Sequence, residues 1–160
     1  MVEVRAVGPE DWRIMRDVRL AALRDAPYAF ASTYEREARL AEAEWRRRAS
    51  TRNSFLAYLP ELGGTPAGIA AGFEEEPGAF ELVSMWVRPG ARGHTVGSAL
   101  INVVARWARD RGASALHLWV TESNKPARRL YERSGFTPTG ERQPLPSDPA
   151  LSEIGMTRPV

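Results

Sequence analysis

Cysteine is absent from the 160-residue sequence. Its absence excludes disulfide bonds, thiolate metal sites and a covalent acyl-cysteine intermediate. Histidine is scarce, with only His94 and His117, so we predict that the protein binds no metal. Lysine occurs once, at Lys125, and 22 basic residues nearly balance 20 acidic ones to a net charge of +2. We therefore expect no nucleic-acid partner.

Long apolar runs are also missing. No segment approaches the roughly 20 apolar residues that a membrane-spanning helix needs, and the N-terminus lacks the apolar region of a signal peptide. We therefore expect a cytoplasmic protein without a membrane partner. The composition, 43% apolar and 26% charged, is typical of a globular protein. A chain of this length is expected to form one domain over residues 1–160.

The spacing of apolar residues predicts an alternation of strands and helices. Strands are predicted at residues 2–6, 55–59, 67–73, 79–87 and 116–120, and from Phe136 onward, with 143–149 as a loop and 153–158 as an edge strand. Helices are predicted at residues 9–24, at 35–49 with an interruption near Leu40, from Ser98 to Gly112, and from Asn124 to Gly135. The order β-α-α-β-β-β-α-β-α-β predicts an α/β (α+β) protein, a mixed sheet with helices on both faces.

The most informative segment is 83–98, which reads VSMWVRPGARGHTVGS. An apolar strand ends at Pro89-Gly90, a basic loop with two glycines follows, and a helix is predicted from Ser98. Small residues let backbone N–H groups approach a phosphate, and the N-terminal end of a helix favours its negative charge. The segment therefore predicts a binding site for a phosphorylated ligand.

Two motifs resemble those of the GNAT superfamily of acyl-CoA-dependent N-acyltransferases. The loop Arg92-Gly93-His94-Thr95-Val96-Gly97 follows the pattern Gln/Arg-x-x-Gly-x-Gly/Ala, and a second motif consists of Asn124, Ala127, Leu130-Tyr131 and Gly135-Phe136. The resemblance covers essentially the whole chain and implies a mostly antiparallel mixed sheet flanked by helices. Thr95 stands where the family usually has glycine, which is costly if that residue needs a positive φ.

The resemblance implies acetyl-CoA as the cosubstrate, with its pyrophosphate against the N–H groups of residues 94–98. It also implies that the strand before the loop splays from its neighbour, so that its free backbone groups bind the pantetheine arm and the N–H of Val87 polarises the thioester carbonyl. The residues expected to contact the cofactor are Trp86, Val87, Arg92, Gly93, His94, Thr95, Val96, Gly97, Ser98 and Asn124.

Tyr131 is the candidate acid, because a phenol of pKa about 10 can protonate a leaving thiolate. Its alternative is a core tyrosine beside Leu130. Glu81 is the candidate base: it matches the glutamate of histone-acetylating family members, and its distance from Val87 along the strand predicts that both side chains share one face. Glu122 or a water chain is the alternative base, and His117 is interpreted as structural.

We therefore expect an N-acetyltransferase that acts on a primary amine of a small molecule or peptide. A protein N-terminal acetyltransferase and a noncatalytic acyl-CoA-binding regulatory module are the alternatives, and we allow for a homodimer. The acceptor site is expected between the first two helices, with residues 143–149 at its rim and four aromatic candidates for its lining: Tyr28, Phe30, Tyr34 and Trp45.

Overall fold

Seven strands form one sheet in a computed structural model, which describes residues 1–93 and 95–160. The strands are β1 (Glu3–Ala6), β2 (Ser54–Tyr58), β3 (Gly68–Glu76), β4 (Ala79–Val87), β5 (Ala115–Thr121), β6 (Thr137–Leu145) and β7 (Asp148–Pro159). The helices are α1 (Trp12–Asp25), α2 (Tyr34–Glu37), α3 (Glu42–Ser50), α4 (Val96–Asp110) and α5 (Lys125–Arg133). The break between α2 and α3 confirms the predicted interruption near Leu40.

The strand order is β1-β2-β3-β4-β5-β7-β6. Every neighbouring pair is antiparallel except β4 and β5, which run parallel with α4 in the connection between them. The predicted fold class, a mixed and mostly antiparallel sheet flanked by helices, is confirmed. None of the helices in residues 1–93 and 95–160 is long and apolar enough to cross a membrane.

Alternate residues of the strands build two apolar cores, one on each face of the sheet. The first core packs the sheet against α4, with Leu100 and Val104 of the helix facing Leu116 and Leu118 of β5. The second core lies under α1 and α3 and contains Trp12, Val18, Trp45, Leu56, Ile69 and Trp86. We call these the α4 face and the α1 face.

A β-bulge at Ser84 reverses the side-chain alternation of β4. The register pairs Ala71 with Val83 but Ile69 with Trp86, so β4 uses one residue more than β3, and Ser84 has a φ of +59°. Before the bulge, even-numbered residues face α4; after it, Trp86 lies in the core of the α1 face and Val87 packs against that of the α4 face. Glu81 and Val87 therefore lie on opposite faces, and the prediction of a shared face was wrong.

Three predicted boundaries also need correction. Helix α4 begins at Val96 rather than Ser98. The predicted loop 143–149 is mostly a β-hairpin, because β6 continues to Leu145 and β7 begins at Asp148. Residues 153–158 lie between β5 and β6 and so are not at an edge. The prolines of this region led to the prediction of a loop. Pro144 instead lies in β6, an edge strand, where a missing N–H is tolerated.

Candidate active site

A gap opens in the middle of the sheet between β4 and β5. In the described part of the chain, the two strands pair only at Phe80 with Leu116 and Glu81 with His117. Beyond these pairs β5 continues to pair with β7 as far as Thr121, while residues 82–87 of β4 have no partner on the β5 side. The bulge at Ser84 lies within this unpaired stretch, where it bends β4.

The backbone of Val87 points into this gap. The N–H of Arg88 donates to the carbonyl of Ala67 at 2.7 Å, so Arg88 is directed toward β3. Successive residues of a strand direct their backbone groups to opposite sides, and those of Val87 therefore face β5. The gap thus presents a strand edge that can bond an extended ligand, as predicted for the pantetheine arm.

The N-terminus of α4 lies directly after the loop that joins it to β4. Gly93 has a φ of +86° and Thr95 a φ of +63°, so Thr95 occupies the left-handed conformation that the missing glycine would favour. The first bond of the helix runs from the N–H of Ala99 to the carbonyl of Thr95 at 3.1 Å. The preceding N–H groups, those of residues 96–98, have no carbonyl within the helix, which makes this turn suited to an anion. His94, also predicted to contact the cofactor, lies outside the described residues.

The side chains of Trp86 and Arg92 meet at Asp25, the last residue of α1. The indole Nε1 of Trp86 donates to Asp25 Oδ2 at 2.9 Å, and Arg92 Nη2 donates to the same oxygen at 3.0 Å. Arg92 Nε also donates to the carbonyl of Val87 at 3.0 Å. Arg92, expected to contact the cofactor, is thus paired with Asp25, while Trp86 fills the core of the α1 face.

Helix α5 closes the α4 side of the gap. Asn124 Oδ1 accepts a hydrogen bond from the N–H of Ala127 at 3.4 Å and so caps the N-terminus of α5. Leu130 lies directly over Gly97 in the first turn of α4, where a Cβ atom would be only 2.8 Å from Leu130 Cδ2. The glycine of the loop motif and the leucine of the second motif therefore contact each other.

Tyr131 is buried in the core of the α4 face, with 7% of its surface exposed. Its ring packs edge-on against Phe136, with centroids 5.8 Å apart. Among the described residues its hydroxyl has no hydrogen-bond partner, and burial raises the pKa of Tyr131 above the ordinary phenol value. The phenol thus keeps its proton through the neutral range, as a proton donor must.

Glu81 lies on the α1 face at the point where the gap begins. Its Oε1 is 3.7 Å from Nδ1 of His117, its neighbour on β5, and 16% of the Glu81 side chain is exposed. Glu122, the alternative base, instead forms an exposed ion pair with Arg142 at 2.8 Å. Glu81 thus lies where the gap begins, whereas the Glu122 carboxylate is paired with Arg142 at the surface.

Two cavities lie next to β4. The larger, about 450 Å³, is bounded by α1, α3 and β2–β4, and its lining includes Met15, Arg19, Trp45, Ile69, Val83 and Ser84. The smaller, about 390 Å³, is lined by Glu75, Glu81, His117, Trp119, Glu141 and Gln143, among others. Of the four predicted aromatic candidates, Trp45 lines the larger cavity, Phe30 is buried in the core, Tyr34 bonds Arg24 and Tyr28 is exposed.

A buried carboxylate that the sequence analysis missed lies beside the larger cavity. Glu37 is 3% exposed and accepts two hydrogen bonds from Arg19, at 2.9 and 3.0 Å, and one from Arg48 at 3.0 Å. Arg19 Nη1 also donates to Ser84 Oγ at 3.2 Å. Burial raises the pKa of Glu37, but the hydrogen bonds and charge of Arg19, a hydrogen bond with Ser32 and the charge of Arg48 outweigh it and lower that pKa to about 2. We call Arg19, Glu37 and Arg48 the arginine–glutamate triad.

The smaller cavity is lined by three glutamates, Glu75, Glu81 and Glu141, beside the imidazole of His117. Within residues 1–93 and 95–160, no three His, Cys, Asp or Glu side chains are grouped so that they could hold a metal ion. His117 lies between Glu81 and Glu141, and its pKa is raised, first by Glu81 and then by Glu141, against the opposing effect of burial.

Comparison with known proteins finds acetyltransferases among those similar to this chain. Residues 17–136 match the family model described as Acetyltransferase (GNAT) family. An uncharacterized N-acetyltransferase from Methanocaldococcus jannaschii is 34% identical over 85 residues, which cover 49% of this chain and 38% of that protein. A streptothricin acetyltransferase from Streptomyces lavendulae is 48% identical over 50 residues, 31% of this chain and 26% of that protein. The chain thus spans well under half the length of these curated relatives.

A solved structure shares the fold over the whole chain. The crystal structure of an acetyltransferase of the same family from Streptococcus pneumoniae has a TM-score of 0.77, at 19% identity, and the match covers 100% of this chain and 99% of that one. At this identity the likeness concerns the fold.

Proposed function

Because the chain belongs to the GNAT acetyltransferase family, we propose that it transfers an acetyl group from acetyl-CoA directly to a primary amine of a small molecule or peptide. The observation that carries the proposal is the gap between β4 and β5, beside which β4 leads through its loop to the N-terminal turn of α4. The single sheet supports treating residues 1–160 as one acetyltransferase domain.

The chain's own groups fit the two ends of the cosubstrate. The N–H groups of residues 96–98 would hold the pyrophosphate, aided by the positive end of the helix dipole. The backbone of Val87 would bond the pantetheine arm, and its N–H would polarise the thioester carbonyl. Acetyl-CoA, when bound, supplies the acetyl group in an activated thioester.

The two proposed proton-transfer residues lie on opposite sides of the sheet. Glu81 is on the α1 face, where it would take a proton from the acceptor ammonium, whose pKa near 10 leaves few molecules neutral at pH 7. Tyr131 is in the core of the α4 face, where it would give a proton to the departing thiolate.

Thiol release from acetyl-CoA over a panel of amines and short peptides tests the proposal. We expect release with at least one amine, and a loss of about 100-fold or more in kcat in Glu81→Gln, the usual contribution of a general base. Glu122→Gln is the matched control and should retain activity, because the Glu122 carboxylate forms an ion pair with Arg142.

The melting temperature separates binding from catalysis. Acetyl-CoA binds only the native state in this proposal, so it should raise the melting temperature of wild type and of Glu81→Gln alike. A thermal shift without thiol release from any amine would favour the noncatalytic acyl-CoA-binding module. Release confined to peptides would favour the protein N-terminal acetyltransferase, and no thermal shift at millimolar acetyl-CoA would contradict the cofactor assignment.

A further inference from the structure

Three titratable side chains form a line from the gap in the sheet to its surface. Glu81 Oε1 is 3.7 Å from His117 Nδ1, and His117 Nε2 is 3.0 Å from Glu141 Oε1. Their exposed fractions rise along the line, from 16% for Glu81 to 24% for His117 and 57% for Glu141. The three residues come from three different strands, β4, β5 and β6, and all line the smaller cavity.

The surroundings hold the imidazole in this line. The ring packs edge-on against Trp119, with centroids 5.3 Å apart. Gly155 of β7 leaves space for the contact between His117 and Glu141, because a Cβ atom there would lie 2.9 Å from His117 Nε2 and 3.0 Å from Glu141 Oε1. The hydroxyl of Thr139 donates to the same Glu141 oxygen at 2.9 Å, which fixes the outer carboxylate.

Among the described residues, the charged groups that line the smaller cavity with His117 are carboxylates. Glu81 faces it from β4 and Glu141 from β6, while Glu75 of β3 lines the same cavity. The paired residues of β7 contribute no charge, since they are Gly155 and Thr157. These carboxylates favour the imidazolium form, so the pKa of His117 lies above its ordinary value.

A base that ends each turnover protonated needs a route for its proton. An ordinary carboxyl group, of pKa about 4, is a poor store for a proton at neutral pH, whereas an imidazole of pKa about 6.5 holds one readily. The imidazole of His117, next to Glu81, can therefore take up that proton. The outer carboxylate then stabilises the imidazolium until it loses a proton to solvent.

We propose that His117 is a positioning residue that orients Glu81 and accepts the proton which Glu81 removes from the acceptor amine. In this step the ammonium N–H bond breaks and a Glu81 O–H bond forms. That proton then passes to His117 Nδ1, Glu81 returns to the carboxylate, and the imidazolium releases one proton to water beside Glu141. The inference rests on the proposed function, in which Glu81 is the base.

The pH profile of kcat for His117→Gln tests this role. Glutamine keeps a polar side chain between the two carboxylates but cannot hold the proton. We expect kcat near pH 7 to fall at least 10-fold, the neutral ionisation of the wild-type profile to disappear, and the KM for acetyl-CoA to stay within 2-fold. Increasing concentrations of imidazole buffer should restore activity to His117→Gln but not to Glu81→Gln.

A second variant and the wild type distinguish the outcomes. In Glu141→Gln the imidazolium loses its outer carboxylate, so the neutral ionisation should move to lower pH while Glu81 still acts. A wild-type profile in His117→Gln, with no response to buffer, would overturn the relay and leave the proposed function intact. An unchanged thermal shift with acetyl-CoA shows that His117→Gln is folded. Absence of thiol release by wild type would overturn the proposed function and the relay together.

Discussion

Removing the charge of Glu37 should cost the protein a large part of its stability. The carboxylate is almost fully buried and accepts three hydrogen bonds from Arg19 and Arg48. Its pKa falls from 4.5 to about 2, which corresponds to about 3 kcal/mol of stabilisation by the charged form. Breaking a buried ion pair on one side costs a similar amount, about 3–5 kcal/mol, because the remaining charge stays buried and unpaired. We therefore expect Glu37→Gln to lose about 3 kcal/mol at pH 7.

The pH dependence of this loss has a definite sign. A carboxyl group whose pKa is lowered by folding stabilises the native state fully above its unfolded value. That contribution disappears as the pH falls through the native value. The difference between wild type and Glu37→Gln should thus be constant above pH 5 and should shrink as the pH falls from about 4.5 toward 2.

Denaturant unfolding of both proteins, repeated over this pH range, measures the difference directly. Glu42→Gln is the matched control, since Glu42 forms an exposed pair with Arg46 on α3 and its loss should have little effect. A difference below 1 kcal/mol at pH 7, or one that does not change between pH 5 and 3, would refute the reasoning that the triad is a buried, net stabilising ion network.

The other predictions concern residues around the gap between β4 and β5 and at the N-terminus of α4. Tyr131→Phe should lower kcat for thiol release while the acetyl-CoA thermal shift stays unchanged, and unchanged turnover would remove Tyr131 as the acid. Thr95→Gly should raise the free energy of unfolding by about 1 kcal/mol, because glycine adopts a φ of +63° without the cost that a β-branched residue incurs. A loss of stability or of acetyl-CoA binding in this variant would show that the threonine side chain is needed. Gly68→Ala should lower the melting temperature and raise the KM for acetyl-CoA, because the alanine Cβ would lie 2.6 Å from the Trp86 carbonyl and displace the end of β4. A wild-type melting temperature together with a wild-type KM would contradict this.

The local features of the site could be predicted from the sequence, because each depends on neighbouring residues. The loop from Arg92 to Gly97 specifies a strand, a tight turn and a helix start within a few positions. Asn124 and Pro126 specify the start of α5 in the same way. The departure at Thr95 predicted a strained residue if a positive φ was required, and the structure shows that φ.

The features that the sequence analysis missed depend on contacts between distant segments. Nothing near Ser84 signals an extra residue in β4, so the alternation rule placed Glu81 and Val87 on one face. Glu37 is one of many charged residues in a helical region, and its partners are 18 and 11 residues away in the sequence. Glu37 is buried because α1 and α3 bring Arg19 and Arg48 against it, and Arg19 also contacts Ser84 at the bulge. These contacts cannot be read from the sequence around Glu37.

The single extra residue at Ser84 has a consequence for how this strand can change in evolution or by design. Deleting Ser84 would remove the bulge and leave Trp86 on the α1 face and Val87 on the α4 face, because Val83 and Trp86 face the same side and would then have one residue between them. Straightening β4 with all of its residues kept would instead turn its second half over and take Trp86 away from Asp25. The bulge therefore lets β4 hold one extra residue without exchanging the side chains of its two faces.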